Sequence, residues 1–506
     1  MTTSAASDVR PTPSETFRQL RDGLKAFSIT SHPRQIAAMA TYGLGHHGLT
    51  TSAALLGAAL TWGDATALID QDGPVTYRQL GAGAGAMAAQ FARTVSPGDH
   101  VAVLVEDDRR HLMAMVALEL CGARIWLVNP RLGSDDSTAL VAANDIGLVV
   151  SAADLPPVHP VNRSEVPRHA KASRLVMMTG GTTAAPASVP VAPGLASPLT
   201  ALALAGVTRV RHGQPVLICA PLFHGYGYSC AVLALIAGAP MVLSSACRTP
   251  GLAAMSKGAT APRPDWGQAI YETCRREGVR AILAVPAQLR SLAAYLDWSE
   301  MAGAPPLDVQ AVASGGDQLD QATLTSLQTH LGPVVTNYYG TTESGTATMI
   351  TGAELAARPT SLGRPVAGSR VRILDDAGQV VPRGVKGRIE PVSGLVRRGA
   401  RTSHVTNDIG WVDASGYLYL EGRAGPQQRS GGEFVNLRAV ERVVADMRGV
   451  VSAEAYMAPD ERFGQRVAVR VQASSAVDAD DIRAGLRARL GPAAVPGVVE
   501  ITRLES

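Results

Sequence analysis

The sequence predicts an α/β chain: a large N-terminal region built on parallel sheets, a β-rich part late in that region, and a small C-terminal α/β module. Three observations carry this. Short apolar runs alternate with helical segments, the rhythm of βαβ units. Those runs are apolar throughout, as strands buried on both faces must be. Residues 366–424 then give up that rhythm for hairpin-like stretches joined by Asp/Gly turns.

In chain order, the polar opening MTTSAASDVRPTPSE reads as a loose tail over residues 1–15, without the apolar core of a signal peptide. Between about 99 and 151, His100–Val105, Arg124–Val128 and Ile146–Ser151 read as strands. The helices between them are Arg110–Leu120 and Ser137–Asn144. Leu175–Met178 is a further short apolar strand. The rhythm returns as strand Ala281–Val285 with helix Ala287–Tyr295, and strand Val309–Ala313 with helix Asp320–Leu331. VRILDDAGQVVPRG and WVDASGYLYLEGR read as hairpins. Ala424-Gly425-Pro426 reads as a hinge, which divides the chain into 1–424 and 425–506. Strand Arg466–Val471 and helix Asp480–Leu490 belong to the second part. At 506 residues the chain is long enough for two to four structural units, and no internal repeat is visible.

Bulk properties narrow the partners. A net charge of +3 gives no reason to expect nucleic acid or an acidic membrane surface. The longest apolar run, Cys230–Leu243, is too short to span a bilayer. Cys121, Cys219, Cys230, Cys247 and Cys274 show no CxxC spacing. They read as buried free thiols of a reducing compartment, not as a disulfide frame or zinc site, and the expected location is the cytoplasm. Of the 46 Lys+Arg, the lysines are Lys25, Lys171, Lys257 and Lys386, so lysine-dependent chemistry has few candidates.

Five stretches carry chemistry. Thr179-Gly180-Gly181-Thr182-Thr183 follows a strand, and its glycines, N–H groups and hydroxyls suit a phosphate. Taken alone it reads more readily as a surface turn. APLFHGYGY at 220–228 holds His224, and a lone histidine is more often structural than functional. ASGGDQL at 313–319 follows a strand at the end where open α/β sheets bind ligands. NYYGTTESG at 337–345, read as a loop after the apolar Val334-Val335, offers an aromatic for a base, threonines for a phosphate and Glu343 for magnesium. NDIGWVDASGYLYLEGR at 407–423 offers Asp408 for a ribose diol and Arg423 to assist. Singly, each is equally a turn, a cap or a solvated hairpin.

Five such loops in this order are not explained by independent coincidences. From about 50 to 500 the sequence resembles the adenylate-forming superfamily of acyl-CoA synthetases, adenylation domains and luciferases. PLFHGYG, SGGDQL, YYGTTESG, NDIGWVDASGYLYLEGR and RSGGEFVNLRAVE carry the likeness. The resemblance implies an enzyme using ATP and magnesium, and a small C-terminal domain that moves between two steps. Thr179, Gly181, Thr182 and Thr183 would then hold the triphosphate. Gly315, Gly316 and Asp317 would frame the adenine, with Tyr339 stacked on it and Gly340 beside it. Thr342 would touch the α-phosphate, Glu343 the metal, and Asp408 and Arg423 the ribose. His224 would edge the pocket of a small organic acid. Family members form an acyl-AMP and pyrophosphate, then pass the acyl group to coenzyme A or another nucleophile.

The sequence also departs from the family pattern. Where the phosphate loop carries a lysine, this chain has Ala187, with Gly180, Ala184 and Ser188 as further changes. The sequence stops at Ser506, before the expected Pro-x-x-x-x-Gly-Lys segment. Gly425-Pro426 stands where the hinge favours Asp or Lys. An arginine such as Arg429 or Arg401 could substitute for the absent lysines. A non-catalytic nucleotide-binding relative is a second possibility. A specialised reaction is a third: the superfamily includes diazotases, which use ATP and nitrite on an aryl amine in secondary metabolism. The expectation is an AMP-forming enzyme acting on a small aromatic substrate, with a final step other than ordinary acyl-CoA formation.

Overall fold

Two parallel sheets form where the sequence alternates apolar runs with helices. A computed structural model describes residues 6–27, 33, 37, 50–130, 134–155, 174–179, 187–191, 198–247, 266–397, 400–424, 427–431, 433–448, 450–473 and 477–503. Among these, the smaller sheet runs Leu148–Ser151, His100–Leu104, Arg124–Leu127, Arg174–Thr179, all parallel, with Ala187–Val191 antiparallel at its edge. The larger parallel array runs Val335–Thr341, Ala311–Ser314, Ala281–Ala284, Val216–Ile218, Met241–Val242, Thr66–Asp70. It is one part of a 15-stranded sheet.

The two-residue period of a strand decides what each face meets. In the smaller sheet Val101, Val103, Ile125 and Leu127 face a core shared with the larger sheet. Ala102 and Trp126 face the other way, against Leu140 and Ile146. Helices Thr51–Trp62, Tyr77–Phe91, Arg109–Leu120 and Gly225–Ala237 fill the space between the sheets. The outer face of the larger sheet (Leu217, Ile282, Val312, Val335) packs helices Trp266–Glu277, Pro286–Met301 and Gln321–Leu331. Both faces are therefore dry, and each fully buried aliphatic side chain contributes about 1.5–3 kcal/mol. The predicted strands and helices of this region recur within a few residues of their expected bounds, as the α/β reading requires.

Beyond Thr341 the sheet turns antiparallel through Gly345–Thr351, Ser361–Pro365, Leu418–Arg423, Asp408–Val412, Gly387–Arg397 and Ser369–Leu374. The hairpin read in WVDASGYLYLEGR is Asp408–Val412 with Leu418–Arg423, its turn tied by Asp413, which accepts the Tyr417 N–H at 2.9 Å.

Two sequence readings are corrected. Residues 6–15 are not a loose tail: Asp8 and Val9 pair with Arg372 and Val371. A helix then begins at Pro13, where Thr12 and Glu15 bond reciprocally to each other's backbone N–H. The Thr-Pro-Ser-Glu signal for that start stands in the sequence. NYYGTTESG is not a loop after a strand. The strand continues through Thr341 and returns as Gly345–Thr351, leaving Thr342–Ser344 as the turn. Its aromatic and β-branched residues favour that extension. The close return also demands glycine at 340, where a Cβ would lie 2.2 Å from the Gly345 carbonyl oxygen.

The C-terminal part packs strands Val450–Asp460, Gly464–Ala473 and Val498–Arg503 under helices Leu437–Ala445 and Ala479–Leu490, around a core of its own. A hairpin, Gln427–Ser430 with Glu433–Asn436, precedes it. The turn between the two long strands docks on the large region. Phe463 is buried edge-on to Trp266 (5.7 Å) and the Arg462 guanidinium lies over the same ring. Arg290, held by Asp320 at 2.7 Å, donates to the Arg462 carbonyl at 3.0 Å.

The inter-sheet region also buries a carboxyl. Glu119 accepts the Ser52 N–H (2.6 Å) at the start of helix Thr51–Trp62, where Thr51 Oγ1 meets Tyr228 Oη at 2.5 Å. Burial raises the Glu119 pKa, outweighing the bonds from Ser52 and Thr51 that lower it. A raised native carboxyl makes folding most favourable below the unfolded pKa, and that stability is lost as pH rises toward the native one. Glu119→Gln keeps an acceptor for Ser52 and removes the titration. Its stability relative to wild type should therefore rise as pH goes from the ordinary carboxylate range up through neutrality, by about 1.4 kcal/mol for each unit of elevation. Thermal melts across that range check this, and a variant that loses ground as pH rises contradicts it.

Candidate active site

The carboxyl ends of neighbouring parallel strands Val216–Ile218, Ala281–Ala284, Ala311–Ser314 and Val335–Thr341 open on one side, where open α/β sheets place ligands. Five elements meet there. Strand Ala311–Ser314 ends in Gly315-Gly316-Asp317. A Cβ at 315 would press on the Tyr226 ring at 3.2 Å, and Gly316 adopts φ +90°, a conformation that favours glycine. Tyr226 donates from its hydroxyl to the Ala313 carbonyl at 2.9 Å. Helix Gly225–Ala237 begins with His224 as its N-cap, half-buried against Phe223. A Cβ at Gly225 would stand 3.4 Å from Met177 Sδ and 3.9 Å from Thr342 Cγ2. Strand Arg174–Thr179, the His224 helix and the Thr342 turn therefore converge.

The fifth element is the Asp408 hairpin. Tyr339 Oη donates to Asp408 Oδ2 at 2.8 Å, and Arg423 Nε lies 3.7 Å from Asp408 Oδ1. Asp408 and Arg423 face each other in strand register, which fixes that pair. Burial, then the Asp408 charge, pushes the Tyr339 pKa well up, so the phenol remains a donor. Each carboxylate oxygen keeps a further lone pair for a ligand hydroxyl. The Tyr339 ring itself is buried with Ala347, Leu362 and Ile389.

The C-terminal hairpin closes over this corner. Asn129 Nδ2 donates to Glu433 Oε2 at 3.5 Å, and half-buried Arg429 interacts electrostatically with Asp317, Arg423 and Asp408. Burial lowers the Arg429 pKa, with Asp317 and Asp408 working against it. A guanidinium stays charged even so.

A model of the AMP-binding enzyme family matches residues 57–394. The chain belongs to this family. Similar proteins include a feruloyl-CoA synthase of Amycolatopsis sp, 26% identical over 482 residues covering 87% of this chain and 92% of that protein. The 4-chlorobenzoate–CoA ligase of Pseudomonas sp. (strain CBS-3) is 26% identical over 440 residues, 78% of each chain. In fold, the chain is similar to the amide bond synthetase McbA from Marinactinospora thermotolerans. That likeness has a TM-score of 0.73 at 22% identity over 90% of this chain and 96% of that one. It is also similar to a double mutant of o-succinylbenzoate CoA synthetase from Bacillus subtilis, with a TM-score of 0.71 at 22% identity over 89% and 94%. The large sheet-rich region followed by a smaller C-terminal one is the architecture of these enzymes.

Of the residues singled out in the sequence, Tyr339, Asp408 and Arg423 are in direct contact. Thr342 adjoins the helix start at His224–Gly225. Gly315, Gly316 and Asp317 form one loop, and Gly340 shapes the hairpin. Glu343 is half-exposed on the turn, and among the described residues its carboxylate has no hydrogen bond or ion pair. Thr179 is the last residue of its strand, directly across from Ala187. Gly181, Thr182 and Thr183 lie outside the described residues.

Sequence reading passed over Asn337, Ser314, Tyr226 and Tyr338. Asn337 and Ser314 are register partners at the carboxyl ends of adjacent strands. Asn337 Oδ1 and Ser314 Oγ are both buried, and among the described residues neither has a hydrogen-bond partner. Their signal was parity: in a strand, 337 and 339 share a face.

The Tyr339–Asp408 bond can be tested directly. Tyr339→Phe should cost about 0.5–1.5 kcal/mol in thermal or denaturant unfolding and weaken AMP binding by calorimetry, because Asp408 loses the donor that orients it. Unchanged stability and unchanged binding would show the contact to be incidental.

Proposed function

We propose that the protein is an ATP-dependent, AMP-forming adenylating enzyme that activates a small aromatic carboxylic acid. The observation that carries this is the orphaned pair Asn337 Oδ1 and Ser314 Oγ, two residues along the strand from the Tyr339–Asp408 bond. A buried acceptor without a donor is disfavoured until a ligand supplies one, as the exocyclic amine of adenine does. The Asp408 carboxylate two residues further along that face suits a ribose diol. Gly315 and Gly316 let the ligand approach the backbone closely. Nucleotide and site are thus matched in chemistry. Glu343, on its turn beside Thr342, would hold magnesium, since that ion is bound by one or two carboxylates together with phosphates; the ion supplies charge neutralisation for the phosphates.

In the reaction, an oxygen of the substrate carboxylate attacks the α-phosphorus of ATP. The bond from that phosphorus to the bridging oxygen breaks, and pyrophosphate leaves with the electron pair. Two anions must approach, so the step needs positive charge. Ala187 denies it at the mouth of the phosphate loop, across from Thr179. Arg429, carried by the C-terminal hairpin beside Asp317 and Asp408, is the cation we assign to this role. If Arg429 serves activation, the hairpin must be docked from the first step onward. That requirement supports a final acyl acceptor other than coenzyme A, although the similar curated proteins are CoA ligases by name.

Pyrophosphate exchange into ATP, with a panel of aryl acids, tests activation. Arg429→Ala should slow exchange on the order of 10²-fold, the scale of losing one preorganised charge contact, while AMP still binds. Asp408→Ala should weaken AMP binding itself. No exchange with any acid, despite AMP binding, would favour a non-catalytic nucleotide-binding relative. Mass analysis of products with coenzyme A, with amines, and with nitrite on an aminoaryl acid identifies the second step. Efficient thioester formation would overturn the acceptor reading, and a diazo product would replace it with diazotisation.

A further inference from the structure

Strand Val335–Thr341 turns Asn337 and Tyr339 to one face and Tyr338 to the other. Tyr338 enters the core between the two parallel sheets, with Tyr226 and Cys230 of helix Gly225–Ala237. Its ring centroid lies 6.4 Å from that of Tyr226, the planes tilted by 52°. These two tyrosines differ in one respect. The Tyr226 hydroxyl donates to the Ala313 carbonyl at 2.9 Å. Tyr338 is only 6% exposed, and among the described residues its hydroxyl has no hydrogen-bond partner. A buried, unpaired hydroxyl is disfavoured, and phenylalanine would fill the same volume without that cost.

In the proposed reaction a substrate would extend from Thr342 along the helix that packs against Tyr338. Gly225, the first residue of the helix, faces Thr342 at the reacting end. Cys230 lies five residues further along the same helix, about 7.5 Å away at 1.5 Å per residue. That span accommodates one aromatic ring whose carboxylate is at Thr342. The tilted tyrosine pair is a suitable wall for such a ring. Burial pushes the Tyr338 pKa well up, so its phenol is a neutral group able to donate and accept.

We propose that Tyr338 Oη is a specificity determinant that hydrogen-bonds a hydroxyl or amino substituent on the substrate ring, at the end remote from the carboxylate. The enzyme would accordingly prefer hydroxyaryl or aminoaryl acids to their methyl or unsubstituted counterparts. This rests on the adenylation reading of the same site.

The test measures binding of matched acids, 4-hydroxycinnamate against 4-methylcinnamate and 4-hydroxybenzoate against 4-methylbenzoate, to the full chain with AMP by calorimetry. Pyrophosphate exchange is followed in parallel, for wild type and Tyr338→Phe. Wild type should bind at least one hydroxy acid about tenfold or more tighter than its methyl partner. Tyr338→Phe should erase that ratio while leaving the methyl acid and AMP unaffected, and its melting temperature should be no lower than wild type. No acid binding, no preference in wild type, a preference surviving in Tyr338→Phe, or a clearly lowered melting temperature would each overturn the assignment. A Tyr338-dependent binding preference without exchange would uphold it and refute adenylation; exchange without preference would do the reverse.

Discussion

A strand buried on both faces sorts its side chains by parity, and the site depends on that constraint in Val335–Thr341. Asn337 and Tyr339 lie on one side, beside Ser314 and Asp408. Tyr338 lies on the other, beside Tyr226 in the inter-sheet core. Both sides lead, within a few residues, to the same turn at Thr342–Ser344. A single strand can therefore keep two ligands apart along their length and deliver both to one place. The arrangement holds only while the strand keeps its register. A one-residue slip would exchange the faces, and buried neighbours on both sides forbid it.

Close backbone packing maintains this geometry. At Gly340 the hairpin approaches too closely for any side chain, and at Gly227 a Cβ would stand 2.1 Å from the Pro221 carbonyl oxygen. The second of these seats helix Gly225–Ala237 against the segment that precedes it. Because interiors are close-packed and transmit strain, a methyl group at 227 would displace the helix start that faces Thr342. Backbone proximity, more than any single side-chain contact, sets where the helix, the strand and the turn meet.

Much of this was legible in the sequence, for identifiable reasons. Continuous apolar runs such as Ala281–Ala284 can only be strands covered on both faces, so the parallel α/β region was readable. The Asp/Gly turn of the Asp408 hairpin was readable from local chemistry. Residues 6–15 were misjudged because polarity was weighed above the Thr12–Glu15 capping signal and because pairing of Asp8 with Arg372 is long-range. Asn337, Ser314 and Tyr338 were passed over because their importance lies in bonds they do not make, a property of the folded surroundings. Residue type alone does not distinguish Tyr338, unpaired, from Tyr226, bonded to Ala313.

The placement of charge follows the same logic. The strand antiparallel to Arg174–Thr179 places Ala187 opposite Thr179 and continues with Ser188, Val189, Pro190 and Val191. Lysine at that point would be a flexible cation belonging to the large region at all times. Arg429 belongs to the C-terminal hairpin, whose position is set by Phe463 against Trp266 and by Arg290 beneath the Arg462 carbonyl. A cation delivered this way is present only when those contacts are made. Under the role proposed for Arg429, the electrostatics of the crevice and the docking of the C-terminal part would be one equilibrium, since an anion that favours Arg429 in place would also favour the docked arrangement by the difference in its affinity for the two states.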